Sequence, residues 1–316
     1  MPHYEHLSQR EREEIALLWG RGSSWSQIGR DLGRSASTIY REVQRNGEQG
    51  RYYPRHAERV AEQRRQVPRR SCKVVGPTKR RVQQGLKRYW SPEQIAGRRN
   101  LEGLESLSHM TIYRYLASEE GRGYRKYLRG PSKARRHNRK VRNRIHHRVM
   151  IDERPWEAEA RTEPGHWEGD TVRGPMDSEG CVMTLVERSS QFLVARLLAK
   201  RNATELNQKA SQAMRRYDFK TLTVDNGMEF ASHKKLLALT GTPIYFAHEK
   251  SPWERGLNEQ VNGLLRQFFP KGTDFSHISP AQLRWAERLL NNRPRKTLGY
   301  RTPNEVMQAP SFALVM

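Results

Sequence analysis

The hexapeptide Leu222-Thr223-Val224-Asp225-Asn226-Gly227 lies in the C-terminal half of the chain, and its apolar run ends at the carboxylate of Asp225. Two further carboxylates lie in similar segments. Asp170 ends the stretch His166-Trp167-Glu168-Gly169-Asp170, and Glu259 follows Asp225 after 33 intervening residues. Three acidic side chains placed in this way in a very basic chain predict a divalent-metal site that acts on nucleic-acid phosphates.

The segments around this run have the alternating pattern of strands and helices in an α/β domain. Their order is three strands, helix, strand, helix, strand, helix. The strands are expected at Trp167–Val172, Cys181–Glu187, Phe192–Ala199, Lys220–Val224 and Ile244–Ala247. The helices are expected at Thr204–Tyr217, at Glu229–Leu239 and after the cap Ser251-Pro252-Trp253-Glu254. This is the order of the ribonuclease-H-like fold.

The last of these helices places Glu259 on a polar face. Its apolar residues recur at i, i+4, i+7, i+8 and i+11 and form one buried stripe, which consists of Leu257, Val261, Leu264, Leu265 and Phe268. Glu259 lies about 200° around the helix from Leu257, at roughly 100° per residue. Arg255, Asn262 and Arg266 share its side. A carboxylate flanked by Arg and Asn fits metal binding beside a phosphodiester, so these three neighbours are expected to contact DNA.

The charge of the chain is concentrated in its N-terminal half. The net charge is +24 over 316 residues. Residues 1–150 hold 35 Lys and Arg against 14 Asp and Glu, whereas residues 151–316 hold 23 against 20. Such an asymmetry predicts that the N-terminal half binds a polyanion, and double-stranded DNA is the expected partner. Residues 131–148 are cationic enough to follow a phosphate backbone.

Cysteine content and hydropathy indicate the cellular compartment in which the protein is expected. Cys72 and Cys181 are the only cysteines, too few for a disulfide framework or a structural zinc cluster. No run of about eighteen apolar residues is present, so no membrane span is expected. The polar N-terminus lacks the apolar region of a signal peptide. We therefore expect a cytoplasmic, nucleoid-associated protein.

Helix caps and a glycine turn predict a DNA-reading unit near the N-terminus. Ser8-Gln9-Arg10-Glu11 and Ser24-Trp25-Ser26-Gln27 fit capping boxes, and Ser35 caps a third helix after Gly33. Helix, glycine turn and helix form the helix-turn-helix pattern. The outward residues of the third helix can contact base edges and phosphates. They are Arg34, Ser37, Thr38, Arg41 and Arg45.

A weak internal repeat predicts a second unit of the same kind. Trp25-Ser26-Gln27-Ile28 recurs around Trp90–Ile95, and Ser37–Arg41 recurs around His109–Arg114 with a longer turn between the two motifs. Its expected DNA contacts are His109, Thr111 and Arg114. The predicted organisation is a helix-turn-helix domain at 1–50, a basic linker at 51–82, a second helix-turn-helix-like domain at 83–130, a basic connector at 131–155, and an α/β core with C-terminal helices at 156–316.

Three strings of residues carry a family resemblance, and because the N-terminal DNA-reading units also match, it covers nearly the whole chain. Gly165–Asp170, the run Thr223-Val224-Asp225-Asn226-Gly227 with Glu229-Phe230, and Ser251–Glu259 resemble bacterial insertion-sequence transposases of the DDE class, and above all the insertion-sequence-thirty family. The segments 262–274 and 290–303 strengthen the match. Leu257 and Gln260 depart from the Thr and Asn that we expect in many relatives, which affects fine positioning and not the chemistry.

The resemblance implies a catalytic triad of Asp170, Asp225 and Glu259 on an integrase-like core, with Arg266 at the basic position that follows the Glu. Two Mg²⁺ ions, for which Mn²⁺ can substitute, would relieve the repulsion of these carboxylates and clamp the scissile phosphate. Water as nucleophile gives cleavage of the element's terminal inverted repeats, and a DNA 3′-OH gives strand transfer. Joining two ends implies a homo-oligomer on DNA.

Two other interpretations remain open from the sequence. A helix-turn-helix transcriptional regulator would explain the N-terminal half but not the set of three carboxylates. A ribonuclease-H-like nuclease without strand transfer would explain the carboxylates and would cut DNA without joining it.

Overall fold

The structure is a computed structural model that describes residues 6–47, 50–66, 74–130, 145–175, 178–249 and 251–309. The chain divides into two compact units, one on either side of residue 72. The predicted segments therefore belong to a small helical unit and a large mixed unit, which are described separately.

The N-terminal unit consists of four helices around one apolar cluster. They are α1 (Gln9–Gly20), α2 (Trp25–Asp31), α3 (Ala36–Asn46) and α4 (Pro54–Gln66). Ile15, Ile28 and Ile39 are fully buried in the cluster. Both expected capping boxes are present, and Gly33 has a φ of +62° in the turn between α2 and α3. The predicted helix-turn-helix is confirmed.

Helix α4 corrects the interpretation of residues 51–82 as a linker. Ala57 of α4 is fully buried in the same cluster, and Arg64 donates hydrogen bonds to the Asn46 side chain and the Arg45 carbonyl of α3. The high density of charged residues hid this packing, because one small apolar contact is easily overlooked among Arg and Glu. The other boundaries between the five segments stay predictions, except where the next paragraphs revise them.

The second unit begins with another helical cluster. It contains α5 (Gly76–Lys87), α6 (Pro92–Leu101), α7 (His109–Ala117) and a 3₁₀ helix at Arg122–Tyr127. Val82 and Leu86 of α5 are buried against Ile95 and Ile112. This helical cluster therefore starts with α5 at residue 76, before the boundary at 83 that was expected for the second helix-turn-helix-like domain. The predicted Ser91–Gln94 capping box and the longer turn before α7 are both present.

A mixed sheet forms the centre of the second unit. Its strands within the described residues are β1 (Val149–Met150), β2 (His166–Arg173), β3 (Cys181–Glu187), β4 (Leu193–Leu198), β5 (Thr221–Val224) and β6 (Ile244–Phe246). Their order across the sheet is β1-β6-β5-β2-β3-β4. The β2-β3 and β3-β4 pairs are antiparallel, and the β2-β5, β5-β6 and β1-β6 pairs are parallel.

This topology confirms the ribonuclease-H-like fold, with β2 to β6 as the five predicted strands. Strand β1 was not predicted and lies in the segment 131–155 that was interpreted as a connector. Two residues are too short to show an alternating pattern, and β1 owes its place to parallel pairing with β6. Residues 131–144 of that connector lie outside the described residues.

Helices cover both faces of the sheet. Between β1 and β2 the chain forms the short helix α8 (Trp156–Ala160). On one face, α9 (Ala203–Met214) and α10 (His233–Thr240) bury Leu206 and Leu236 against Leu222. On the other face, α11 (Gly256–Leu265) buries Leu257 against β2 and β3, and α12 (Pro280–Asn291) buries Leu283 against β4. Helix α13 (Pro303–Gln308) ends the described chain. The predicted apolar stripe thus faces the sheet from Leu257 to Leu265, whereas Phe268 lies beyond the end of α11 and contacts Trp285.

The second helical cluster is docked on the C-terminal helices of its own unit. Arg98 of α6 forms a bidentate ion pair with Glu305 of α13, at 2.7 Å for each hydrogen bond. The ring of Tyr300 lies so close to Gly97 that a Cβ atom there would overlap it. Tyr89 contacts Phe268 and Trp285, with ring centroids 5.0 and 5.9 Å away. The second helical cluster is therefore an integral part of the second unit.

Candidate active site

Strand register brings Asp170 and Asp225 together. Strands β2 and β5 are parallel, and Gly169 pairs with Val224. Asp170 and Asp225 each follow a member of that pair, so they occupy equivalent positions on neighbouring strands. Adjacent strands are about 4.8 Å apart, which places the two carboxylates side by side. The structure thus brings together two of the three carboxylates that were predicted to share a site.

The guanidinium of Arg255 lies between these two carboxylates. Its Nη2 is 3.2 Å from Oδ2 of Asp170, and its Nη1 is 3.5 Å from Oδ2 of Asp225. Burial raises the pKa of Asp170, Arg255 opposes this rise, and the neighbouring Asp225 adds to it. The pair of carboxylates thus already has a cation as its common partner.

Helix α11 is held against β2 by two polar contacts four residues apart. Asn262 donates from Nδ2 to Oδ2 of Asp170 at 2.8 Å, and its Oδ1 accepts from Thr184 at 3.0 Å. The backbone N–H of Asn258 donates to the buried carboxylate of Glu168 at 3.0 Å. Alternate residues of a strand rise about 6.6 Å, and four residues of helix rise about 6 Å. Glu168 and Asp170 therefore match positions 258 and 262 in spacing.

Glu259 lies on the exposed side of α11, as the helical periodicity predicted. It lines a cavity of about 400 Å³ together with Asp170, Asp225, His248, Arg255 and Asn262. The structure thus brings all three predicted catalytic carboxylates to one cavity. Within the residues that the structure describes, however, no three His, Cys, Asp or Glu side chains are grouped closely enough to hold a metal. Glu259 therefore lies less close to the two aspartates than the sequence predicts.

The donor chemistry of the cavity nonetheless fits a divalent cation. Asp170 and Asp225 each direct one carboxylate oxygen toward a shared positive charge, and oxygen ligands of this kind are those that Mg²⁺ prefers. Their other oxygens accept from the backbone N–H groups of Thr171 and Gly227, at 2.8 and 2.9 Å. These contacts orient both carboxylates before any ligand arrives.

The turn after β5 depends on the absence of a side chain at Gly227. A Cβ atom there would lie 2.6 Å from Oε2 of Glu229 and 2.8 Å from Oδ1 of Asp225. Glu229 accepts from Thr171 at 2.5 Å and from Arg201 at 2.6 Å, and its side chain is buried. Burial alone would raise the pKa of Glu229, but the hydrogen bonds from Arg201 and Thr171 lower the pKa below its usual range. Glu229 therefore fixes the turn as an ionised group.

Sequence reasoning missed His248, which also lines the cavity. Its Nδ1 is 2.9 Å from Glu254, and its Nε2 is 3.1 Å from Asp152. Hydrogen bonding to Glu254 raises the pKa of His248, and Asp152 adds to the rise. The signal available in the sequence was a carboxylate six residues later, which is too common a feature to single out one histidine.

Arg266 does not face the cavity. Its guanidinium donates to the carbonyl of Arg173 at 2.6 Å and lies 3.4 and 3.3 Å from the carbonyls of Phe269 and Pro270. Burial lowers the pKa of Arg266. Its occupied donors favour a structural role at the end of α11, where its charge complements the helix carbonyls. Its expected contact with DNA stays a prediction.

The candidate DNA contacts of α3 divide into two groups. Ser37, Arg41 and Arg45 are exposed, whereas Thr38 is half-buried and hydrogen-bonded to the Ser35 cap. Arg34 was expected to point outward. It is half-buried instead, and its guanidinium pairs with Glu11 at 2.8 Å. The exposed face of α3 also includes Tyr40 and Gln44, which lie at helical spacing from Ser37 and were overlooked.

Only some of the predicted DNA contacts on α7 are exposed. His109 and Arg114 are exposed, and Thr111 is half-buried. Met110 and Tyr113 are also exposed, with about half of each side chain accessible. All of these assignments to DNA stay predictions.

A larger cavity of about 530 Å³ lies elsewhere in the second unit, between the helix-turn-helix and the C-terminal helices. Arg88, Trp90, Arg98, Arg288 and Glu305 are among its lining residues. It holds none of the three carboxylates, and its charged groups include the Arg98–Glu305 pair that docks α6. The smaller cavity is therefore the candidate active site. Among the described helices, none has the length and apolar character needed to cross a bilayer.

The chain is similar to known proteins over nearly its whole length. A helix-turn-helix domain family matches residues 3–46. The transposase for insertion sequence element IS4351 of Bacteroides fragilis is 38% identical over 310 residues, which are 95% of each chain. The transposase InsI for insertion sequence element IS30C of Escherichia coli (strain K12) is 36% identical over 96% of this chain and 83% of its own. A crystal structure of the catalytic core domain of BIV integrase covers 45% of this chain and 93% of its own, with 22% identity and a TM-score of 0.36.

Proposed function

Because the chain belongs to the insertion-sequence-thirty family of transposases, we propose that it cuts and joins the ends of its own element with Asp170, Asp225 and Glu259 as catalytic carboxylates. The observation that carries this proposal is their meeting in one cavity, with Asp170 and Asp225 placed in register on β2 and β5. Loss of joining on substitution of any of the three is the expected result.

Each residue of the cavity has a separate task in this proposal. Asp170 and Asp225 offer oxygens already oriented by backbone N–H groups, and Glu259 approaches from α11 across the cavity. Asn262 keeps Asp170 in place and is itself held by Thr184. Two bound Mg²⁺ ions, or Mn²⁺ in their place, would activate the attacking oxygen and stabilise the leaving 3′ oxygen. The carboxylates would hold these ions, and no covalent link between protein and DNA is required.

The helix-turn-helix units are proposed to select the DNA. Helices α3 and α7 expose polar and basic residues that suit base edges and phosphates, and the terminal inverted repeats of the element are the proposed target. Since two ends must be joined in one reaction, we propose a homo-oligomer that assembles on DNA. The cytoplasm, in association with the nucleoid, is the proposed compartment.

Replacement of Asp225 by Asn tests the catalytic assignment. The purified chain is incubated with a labelled duplex of the terminal repeat, Mg²⁺ and a target plasmid, and joined product is separated on a gel. Asp225→Asn removes a negative charge at nearly constant volume, so we expect joining to fall at least about 10²-fold while a mobility shift of the duplex persists.

The same assay separates the alternatives. The matched control is Asp218→Asn, which makes the same chemical change at an exposed aspartate outside the cavity and should leave joining intact. Near-normal joining by Asp225→Asn would refute the assignment. Cut but unjoined DNA from the wild-type chain would indicate a nuclease, and a mobility shift without any cleavage would indicate a regulator.

A further inference from the structure

Arg255 occupies the place where a cation is needed. Its guanidinium reaches Oδ2 of Asp170 and Oδ2 of Asp225, at 3.2 and 3.5 Å. The backbone hydrogen bonds at Asp170 and Asp225 go to the other oxygen of each carboxylate. The geometry therefore sets the positive charge of Arg255 in direct competition with a divalent cation for the two Oδ2 atoms.

Arg255 is largely buried where it contacts the two aspartates, and one of its nitrogen atoms has no hydrogen-bond partner within the described residues. The side chain is only 11% exposed, so solvent screens its pairing weakly. Its Nε atom is buried and has no hydrogen-bond partner within the described residues. A buried N–H without a partner costs free energy, and a guanidinium with a spare donor is suited to a phosphate that can accept from two of its nitrogens.

We propose that Arg255 is a positioning residue that holds the two aspartates while DNA is absent and releases them when a phosphate enters the cavity. This inference rests on the proposed function of the same site. A DNA phosphate gives the guanidinium a new anionic partner, and the aspartate oxygens are then free for the metal. Metal binding and DNA binding are thereby coupled, and each strengthens the other.

Arg255 also reduces the repulsion between the two aspartates while DNA is absent. The guanidinium lies between two like charges that are side by side, and its single positive charge offsets part of their repulsion. A chain that binds metal poorly without DNA also has little capacity to cut DNA it has not correctly engaged. Through Arg255, metal binding at the two aspartates is thus favoured once DNA has entered the cavity.

Titration of Mn²⁺ into the DNA-free chain tests this inference, with free Mn²⁺ followed by electron paramagnetic resonance. Wild type, Arg255→Ala and Arg255→Lys are compared. We expect Arg255→Ala to bind Mn²⁺ at least about tenfold more tightly than wild type, because the competing charge is removed. Arg255→Lys keeps the charge but cannot bridge both carboxylates with one planar group, so its affinity should lie between the other two.

Two controls locate the effect. Arg284→Ala removes the same charge from an exposed position on α12 and should leave the affinity within about twofold of wild type. The double variant Arg255→Ala/Asp225→Asn should lose the gain, because one of the two ligands is removed. Circular dichroism and thermal unfolding confirm that each variant is folded, and Arg255→Lys provides the comparison if the alanine variant unfolds.

An unchanged or weaker affinity in folded Arg255→Ala would overturn the inference, as would a gain that persists in the double variant. Either result is distinct from failure of the proposed function, which is judged by DNA joining in the wild-type chain. A joining-competent wild type with no gain in Arg255→Ala refutes the role of Arg255 alone.

Discussion

The buried carboxylate of Glu168 helps to position the carboxylate of Asp170 in the cavity. It is fully buried, accepts from Arg188 at 2.6 Å, and accepts from the backbone of Asn258 at 3.0 Å. A buried charge without its partner is strongly destabilising, so the contact is retained in spite of the cost of desolvation. Because Asn262 lies one turn further along α11, the anchoring of Asn258 also brings Asn262 to Asp170.

Glu229 gives a prediction about pH at the same scale. Its folded-state pKa is lowered by Arg201 and Thr171 in spite of burial, so its contribution to stability is present above the unfolded pKa of about 4.3 and is lost as pH falls through the folded value. We expect Glu229→Gln to lower the free energy of unfolding by about 1.5–3 kcal/mol at pH 7. Urea unfolding at a series of pH values should show this difference between the two proteins shrinking below about pH 4.

The matched control for Glu229 is Glu179→Gln. Glu179 is largely exposed and pairs with Lys200 only at 3.8 Å, so its replacement should change the free energy of unfolding by no more than about 0.5 kcal/mol across the pH range. A difference between wild type and Glu229→Gln that stayed constant from neutral to strongly acidic pH would contradict the assignment of Glu229 as an ionised group.

Helix α6 is packed so closely on the C-terminal segment that its glycine can be tested directly. A Cβ atom at Gly97 would overlap the Tyr300 ring, and Tyr300 itself has a φ of +64°, which restricts its movement. We expect Gly97→Ala to destabilise the chain by about 1–3 kcal/mol, because overpacking displaces the ring. Thermal or urea unfolding of the full chain measures the loss.

Gly123→Ala serves as the comparison for Gly97→Ala. Gly123 lies in the 3₁₀ helix Arg122–Tyr127, and a Cβ atom there would meet nothing within 4 Å. Its replacement should be close to neutral. Equal effects of the two substitutions would show that the α6 contact with Tyr300 does not hold the helix-turn-helix in place.

The elements that could be predicted from sequence are those whose signals are local. The capping boxes at Ser8, Ser24 and Ser91, the stripe of α11 from Leu257 to Leu265 and the run into Asp225 each lie within a few residues, and these were confirmed. The expected cap at Ser251 was wrong, because its side chain makes no capping hydrogen bond and a 3₁₀ helix at Pro252–Arg255 precedes α11. Helix α4 was missed because, among its described side chains, Ala57 alone is an apolar residue fully buried in the core. The seating of α11 depends on Glu168, whose partners Arg188 and Asn258 are 20 and 90 residues away. Contacts at such separations follow from the topology and leave no periodic pattern in the sequence.

Charge distribution over the whole molecule leads to a prediction for DNA binding. Residues 1–150 carry most of the net charge, and Arg41 of α3 is exposed, whereas Arg34 pairs with Glu11. Arg41→Ala should weaken duplex binding and reduce the slope of log affinity against log salt by about 1. Fluorescence anisotropy at several salt concentrations gives both quantities.

Arg34→Ala is the natural partner experiment to Arg41→Ala. Its charge is already neutralised by Glu11, so the salt slope should remain within error of wild type even where stability falls. A loss of about one unit of slope in Arg34→Ala, with none in Arg41→Ala, would reverse the assignment of the two arginines.

Strand β1 determines where an expressed fragment that contains the sheet should begin. Val149 and Met150 cover the outer edge of β6, and Ile145 just before them is buried in the main core. A fragment cut at residue 156, where the composition first turns acidic, would leave that edge open to pairing with other molecules and prone to aggregation. Expression plasmids for the catalytic portion should therefore retain the codons from residue 145 onward.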